Sequence, residues 1–240
     1  MSTKIEWCDE TINPIVGCTK ISEGCKNCYA EKMAKRLKGM QLYQYQNIVD
    51  KNGWTGKISF VPSELEKPYK WKKPKKIFIG SMGDLFHKNR DINDMRTIFL
   101  TIKNNPHHIF IVLTKRPEGM RDYFSWHIQL KNLWLGVSVS TQKMADEYIP
   151  ILMQTPAVVR FISAEPMLEP LDLNLDNEPS PDWIICGRET GIGARPFYPE
   201  WAEDLHKQCE HAAVPFFLKN MTLDRKEYKQ FPAIGGDYER

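Results

Sequence analysis

The sequence has no long apolar run. Nothing in its 240 residues reaches the roughly 18 consecutive apolar residues of a membrane span, and the N-terminus MSTKIEWCDE lacks the apolar core of a secretory signal. Both absences predict a cytoplasmic protein without a membrane partner. Internal repeats and low-complexity tracts are also missing, which argues against a repeat array or a long disordered tail. There is little charge excess of either sign: 33 Lys and Arg face 30 Asp and Glu, a net of +3. The sum therefore says little about partners, and the distribution matters more. Cysteine is scarce at six residues. In a reducing compartment clustered cysteines serve as metal ligands or reactive thiols rather than disulfides.

What is present is ordinary for a globular chain, 42% hydrophobic and 26% charged. A chain of this length can bury a sizeable core, so residues 1–240 are read as one domain. Three of the six cysteines crowd into one stretch, Gly17 to Ala30 (GCTKISEGCKNCYA). Cys18, Cys25 and Cys28 stand at C-x6-C-x2-C, with Tyr29 directly behind. Three thiolates can hold three irons of a 4Fe–4S cluster and leave the fourth iron open to a small molecule. The polar filling (Thr19, Lys20, Ser22, Gly24, Asn27) suits a loop that wraps a cluster through backbone N–H groups. A zinc site with Cys8 as fourth thiolate is the alternative, and spacing alone leaves both open.

Around this loop the chain reads as alternating strands and helices. Asn13–Val16 is a short first strand, and the helix formers of Ala30 to Leu37 follow the cysteines. Residues 40–75 form a Lys/Pro-rich insertion broken by Gly53, Gly56, Pro62, Pro68 and Pro74, with partial structure or a binding role expected. Then come apolar, β-branched runs at Lys76–Gly80, His108–Leu113, Leu133–Val139, Val158–Ile162, Trp183–Cys186 and Val214–Leu218. Helices are predicted near 93–103, 118–124, 142–153 and 201–211. Such alternation implies βα units on a parallel sheet, either a partial barrel or a doubly wound sheet.

Polar groups follow each strand: Ser81 and Asp84; Thr114, Lys115 and Arg116; Ser138 and Ser140; Ser163 and Glu165; Arg188, Glu189 and Thr190; Lys219 and Asn220. In parallel α/β folds these positions share the end of the sheet where ligands bind. The cysteine loop also follows a strand, so it opens onto that end. A zinc knuckle has no need of such a ring.

GCTKISEGCKNCYAEKMA resembles the signature of the phage-associated three-cysteine-motif proteins. The likeness extends through GSMGDLF (80–86), VLTKRPEGM (112–120), LWLGVSVS (133–140), RFISAEPML (160–168), DWIICGRETGIGARP (182–196) and VPFFLKN (214–220). That family is similar to a branch of the radical S-adenosylmethionine enzymes, which implies a partial (β/α)6 barrel of parallel strands. Two departures stand out. The first cysteine gap is six residues where C-x3-C-x2-C is usual, and GRETG (187–191) replaces an expected GGESG, introducing Arg188.

The resemblance implies that Cys18, Cys25 and Cys28 hold a 4Fe–4S cluster, and that S-adenosylmethionine binds the open iron and yields a 5′-deoxyadenosyl radical after one-electron reduction by a donor such as flavodoxin or ferredoxin. Tyr29 then packs near the cluster or adenine, unless it is a core aromatic. Ser81, Met82 and Asp84 fall where the methionine amino group is contacted, although Asp84 also suits a helix N-cap. Lys115 and Arg116 suit a carboxylate or phosphate, and Ser138 and Ser140 suit ribose hydroxyls or backbone groups. Glu165 needs a partner, with Arg160 or Arg188 in view. Arg188, Glu189 and Lys219 are read as substrate-side groups, or as structural ion pairs. Cys186 and Cys209 are packed thiols by default, with Cys186 the one near enough to a pocket to give a hydrogen atom.

Lys67 to Lys76 carries six lysines interleaved with Tyr69 and Trp71. Cations beside aromatics suit a DNA or RNA strand, and a solvated connection is the plain alternative. The expectation is a radical S-adenosylmethionine enzyme acting on a nucleotide or nucleic-acid base. A zinc-stabilised nucleic-acid-binding protein and a radical enzyme acting on a metabolite or peptide are the rivals.

Overall fold

Seven strands pair edge to edge in chain order, every neighbour parallel, in a computed structural model that describes residues 5–126, 129–223 and 226–233. They are β1 (Glu10–Ile12), β2 (Lys76–Ile79), β3 (Ile109–Thr114), β4 (Leu133–Val139), β5 (Val159–Ala164), β6 (Trp183–Cys186) and β7 (Phe216–Leu218). The sheet curls into a half-barrel whose two edge strands, β1 and β7, do not meet. The helices α1 (Tyr29–Gly39), α2 (Ile92–Lys103), α3 (Pro117–Phe124), α4 (Gln142–Met153) and α5 (Pro199–His211) occupy the connections.

Side-chain parity explains why these strands read as continuous apolar runs. Successive residues point to opposite faces, and both faces are covered. Leu133, Leu135, Val137 and Val139 of β4 point outward into the main core shared with the helices. Inward-facing residues form a second, aromatic core from Trp7, Phe78, Trp134, Phe161, Trp183 and Phe217. Gly136 leaves room there, since a Cβ on it would stand 2.5 Å from the Phe161 ring. Continuing each strand at the same parity leads from this plug to Gly80, Lys115, Ser138, Ser163 and Lys219. The concave face is thus greasy at its base and polar at its C-terminal mouth.

The beginning of the sheet differs from expectation. The first sheet strand is Glu10–Ile12, while Ile15–Val16 leaves the sheet and pairs antiparallel with Ser59–Phe60. Pro14 has no N–H to give a ladder, and the Asn13 carboxamide oxygen instead accepts from Ser81 Oγ (3.1 Å) and Met82 N (2.9 Å). The 40–75 insertion carries short 3-10 turns, a Val49–Asp50/Gly53–Trp54 hairpin and one α-turn at Lys67–Lys70. Tyr45, Ile48 and Val49 from it join Val16, Ala30, Ala34 and Met82 in a third small core. The insertion therefore braces the cysteine loop from behind. Gly17, at φ +100°, allows the approach, since a Cβ would stand 2.4 Å from the Lys57 carbonyl oxygen.

Candidate functional site

The polar mouth of the half-barrel encloses a cavity of about 400 Å³. Cys18, Cys25 and Cys28 all line it, together with Tyr29, Ser81, Asp84, Lys115, Ser138, Glu165, Arg188, Glu189 and Lys219. Loop and strand ends thus meet as the sequence ring implied, because parallel topology places every β-to-α connection at one end. Met82 and Ser140 stand elsewhere. Met82 is buried in the core beneath the insertion, with its backbone N–H held by Asn13 Oδ1 (2.9 Å). Ser140 is fully buried under the cysteine loop, against Gly24.

The charged residues at the mouth are mostly tied to one another. Asp84 accepts from Thr114 Oγ1 (2.8 Å), Phe86 N (2.9 Å), Lys115 N (3.3 Å) and Arg116 Nη1 (2.8 Å). It is not a helix N-cap, and both of its oxygens are engaged by these donors at the cavity wall. Arg116, expected to take a carboxylate or phosphate, spends its guanidinium on Asp84, the Thr19 carbonyl (3.0 Å) and Cys18 Sγ (3.7 Å). Glu165 pairs with Lys219. Neither arginine proposed for it does so: Arg160 bonds the Met153 carbonyl and approaches Asp182, and Arg188 is exposed at the rim. Lys115 Nζ donates to Ser138 Oγ (2.7 Å), which in turn donates to the Glu165 carbonyl (3.0 Å). Tyr29 is half exposed, with its hydroxyl donating to the Ser81 carbonyl (2.8 Å).

Arg195 and His87, which the sequence pattern does not single out, complete the arrangement with Asn27 of the loop's polar filling. Arg195 donates to Glu189 through its backbone N–H (2.8 Å) and Nε (3.1 Å), and Asn27 of the cysteine loop donates to the same carboxylate (2.8 Å). These bonds, led by Arg195 and opposed by burial, hold the Glu189 carboxyl down to about 2. Glu189 is thereby a clamp between the loop after β6 and the cysteine loop. His87, buried, bonds Thr19 Oγ1 through Nε2 (2.8 Å). A polar residue after each strand is a visible signal, but its partner 30 to 160 residues away is not.

The thiols differ. Burial pushes Cys18 up to about 11, with Asp84 reinforcing and Arg116 opposing. For Cys25 burial acts the same way, yet Lys115 and hydrogen bonds from Ile21 and Ser22 outweigh it and lower its pKa. Cys8 belongs to the inner aromatic core and does not line the cavity, so a four-thiolate set with the other three is not assembled. Cys186 points into the outer core, its Sγ 3.8 Å from Met167 Sδ, with burial pushing its pKa up. It faces away from the cavity, and Cys209 is buried as well.

The Lys67–Lys76 segment precedes β2 and sits at the opposite end of the sheet, where none of it lines the cavity. Lys67, Lys70 and Lys75 pair with Glu64, Glu66 and Glu10. Trp71 packs on the main core and edge-on to His108, with Lys75 over its ring. It is not a free stacking platform. Among the described residues no helix is long and apolar enough to cross a membrane.

Fold and site define an α/β half-barrel protein in which a three-cysteine loop and the strand ends share one cavity. The chain belongs to the family described as protein of unknown function (DUF5131), whose model matches residues 2–231. No curated protein and no solved structure matches it.

Proposed function

We propose that this protein is a radical S-adenosylmethionine enzyme whose 4Fe–4S cluster is held by Cys18, Cys25 and Cys28. The observation that carries the reading is the convergence of three thiols from one loop on a cavity ringed by inward-facing strand ends. The donor types suit the reading, three cysteine sulfurs for iron and sulfide, although among the described residues no group of three or more His, Cys, Asp or Glu is gathered closely enough to hold a metal ion. Cys8 lies in the inner aromatic core and not at the cavity, outside a four-thiolate zinc set. When bound, the cluster and S-adenosylmethionine supply reductive cleavage of the sulfonium and a 5′-deoxyadenosyl radical, the electron coming from a flavodoxin- or ferredoxin-type donor. The chain supplies the enclosure. Lys115 offers a cation for a carboxylate, and the aromatic floor of Trp7 and Phe78 excludes water.

A nucleotide or nucleic-acid base is the proposed substrate, supported by where the positive charge lies. Residues 20–40 hold six Lys and Arg against Glu23 and Glu31, a surplus of four in a chain whose net is +3. Lys32 and Arg36 are exposed on α1 one turn apart, and Lys32 Nζ reaches the Ile192 carbonyl (3.3 Å) on the loop that carries Arg188. Phosphates at the cavity rim would meet this face, rather than Lys67–Lys76.

Anaerobic reconstitution followed by iron and sulfide analysis tests the reading. Wild type should be brown and release 5′-deoxyadenosine with reductant, more so with its substrate, tried first as DNA. Cys18→Ala, Cys25→Ala and Cys28→Ala should each lose iron, and Cys8→Ala should keep it. Zinc in the wild type and its loss in Cys8→Ala would refute it.

A further inference from the structure

We propose that Arg116 is the positioning residue that locks Cys18 to the sheet and sets the reduction potential of the cluster; this rests on the cluster reading above. The first cysteine of the loop is held unlike the other two. Cys25 and Cys28 lie within the loop's own turn and the start of α1, whereas Cys18 is reached by a side chain from the end of β3. The Arg116 fork spans three groups: Nη1 meets Asp84 Oδ2 (2.8 Å) and Cys18 Sγ (3.7 Å), and Nη2 meets the Thr19 carbonyl (3.0 Å). Its side chain is 14% exposed and that of Asp84 8%. Solvent therefore screens these charges weakly.

Asp84 cannot swing away, because Thr114, Phe86 and Lys115 hold its remaining lone pairs. The guanidinium is thus fixed with one N–H toward sulfur. A second tether limits the loop from the other side. The Asn89 N–H donates to His87 Nδ1 (3.2 Å), so Nε2 carries the proton and donates to Thr19 Oγ1 (2.8 Å). Between Arg116 and His87, Thr19 is pinned at both its carbonyl and its hydroxyl. Cys18, one residue earlier, inherits that position.

Reduction of a cluster adds negative charge, and N–H donors and cations beside its sulfurs favour the reduced form. Arg116 supplies both at Cys18. Lysine cannot replace it: an ammonium is a point charge without the planar fork that serves two oxygens and a sulfur together. The two neighbouring cations after β3 consequently divide their work, Arg116 bonding Cys18 and Lys115 bonding Ser138 at the cavity while its charge favours the Cys25 thiolate.

The test compares wild type, Arg116→Lys, Arg116→Met and the double variant Asp84→Asn/Arg116→Met. Each is reconstituted anaerobically and titrated by electron paramagnetic resonance, with thermal midpoints of the unloaded proteins as a fold control. The midpoint potential should move negative in Arg116→Lys and further in Arg116→Met. The double variant should recover thermal stability over Arg116→Met, since no carboxylate is left unpaired, and its potential should lie between those of Arg116→Met and wild type, since the anion that opposes reduction beside Cys18 is removed as well. A purely structural residue would not move the potential once iron is loaded. If Arg116→Lys and Arg116→Met load iron and titrate at the wild-type potential, this inference fails alone. Wild type that takes up no iron and sulfide overturns it together with the proposed function.

Discussion

Gly24→Ala is the most direct probe of how the cysteine loop is seated. Gly24 lies in the short 3-10 turn Glu23–Cys25, and a Cβ there would stand 2.2 Å from Ser140 Oγ and 3.1 Å from Ser140 Cβ. Ser140 is fully buried, and its hydroxyl has no hydrogen-bond partner among the described residues. Rotating the hydroxyl relieves the first contact but not the second, so the loop must lift. Overpacking of this kind costs about 1–3 kcal/mol. Each kcal/mol lowers Tm by roughly 2–4 °C in a chain of this size. Gly24→Ala should therefore show a lower urea midpoint and, on the proposed cluster reading, weaker iron loading. Gly39→Ala is the control, since nothing lies within 4 Å of a Cβ there. Adding Ser140→Gly should restore part of the loss, with a coupling energy of at least about 0.5 kcal/mol in the double-mutant cycle. Wild-type stability and iron loading in Gly24→Ala would refute this packing.

Three further outcomes follow from the ion pairs and the charge map. Glu189 has a folded pKa of about 2, below its ordinary value of 4.5. Its contribution to stability is therefore present above the ordinary value and lost as pH falls through the folded one. Glu189→Gln should flatten the acid limb of a stability–pH curve between about 5 and 2, and an unchanged limb would count against the clamp. Lys219→Met leaves Glu165 without its ion-pair partner and should cost about 1–3 kcal/mol by denaturant titration. Glu165→Gln/Lys219→Met should regain part of it; equal stability of all three proteins would remove the pair from the account. For labelled single-stranded DNA, Gln at Lys32, Lys35 and Arg36 should flatten the log–log salt slope by about 2. Gln at Lys70, Lys72 and Lys73 should leave it unchanged, and the reverse result would return the strand to the far end of the sheet.

The sequence by itself determined the alternation of strands and helices on a parallel sheet and the end of that sheet at which the cysteine loop opens, while a partial barrel and a doubly wound sheet both fitted it. Strands covered on both faces read as unbroken apolar runs, and their regular alternation with helical stretches predicts a parallel sheet. A parallel sheet sends every β-to-α connection to one end, so the sequence pattern alone assigns the cysteine loop, Glu165, Arg188 and Lys219 a shared mouth. What only the tertiary structure decided is which groups are engaged and which face the cavity. Asp84 and Arg116, Glu165 and Lys219, and Asn27 and Glu189 are 32, 54 and 162 residues apart. Periodicity reports local neighbours alone. Pairing across the mouth is set by the curl of the sheet and by strand register, which brings inward parities together. The same geometry turned Met82 into the core beneath the insertion, Ser140 under Gly24 and Cys186 into the outer core. It placed the lysine-rich segment at the other end of the strands, because that segment enters β2 rather than leaving it.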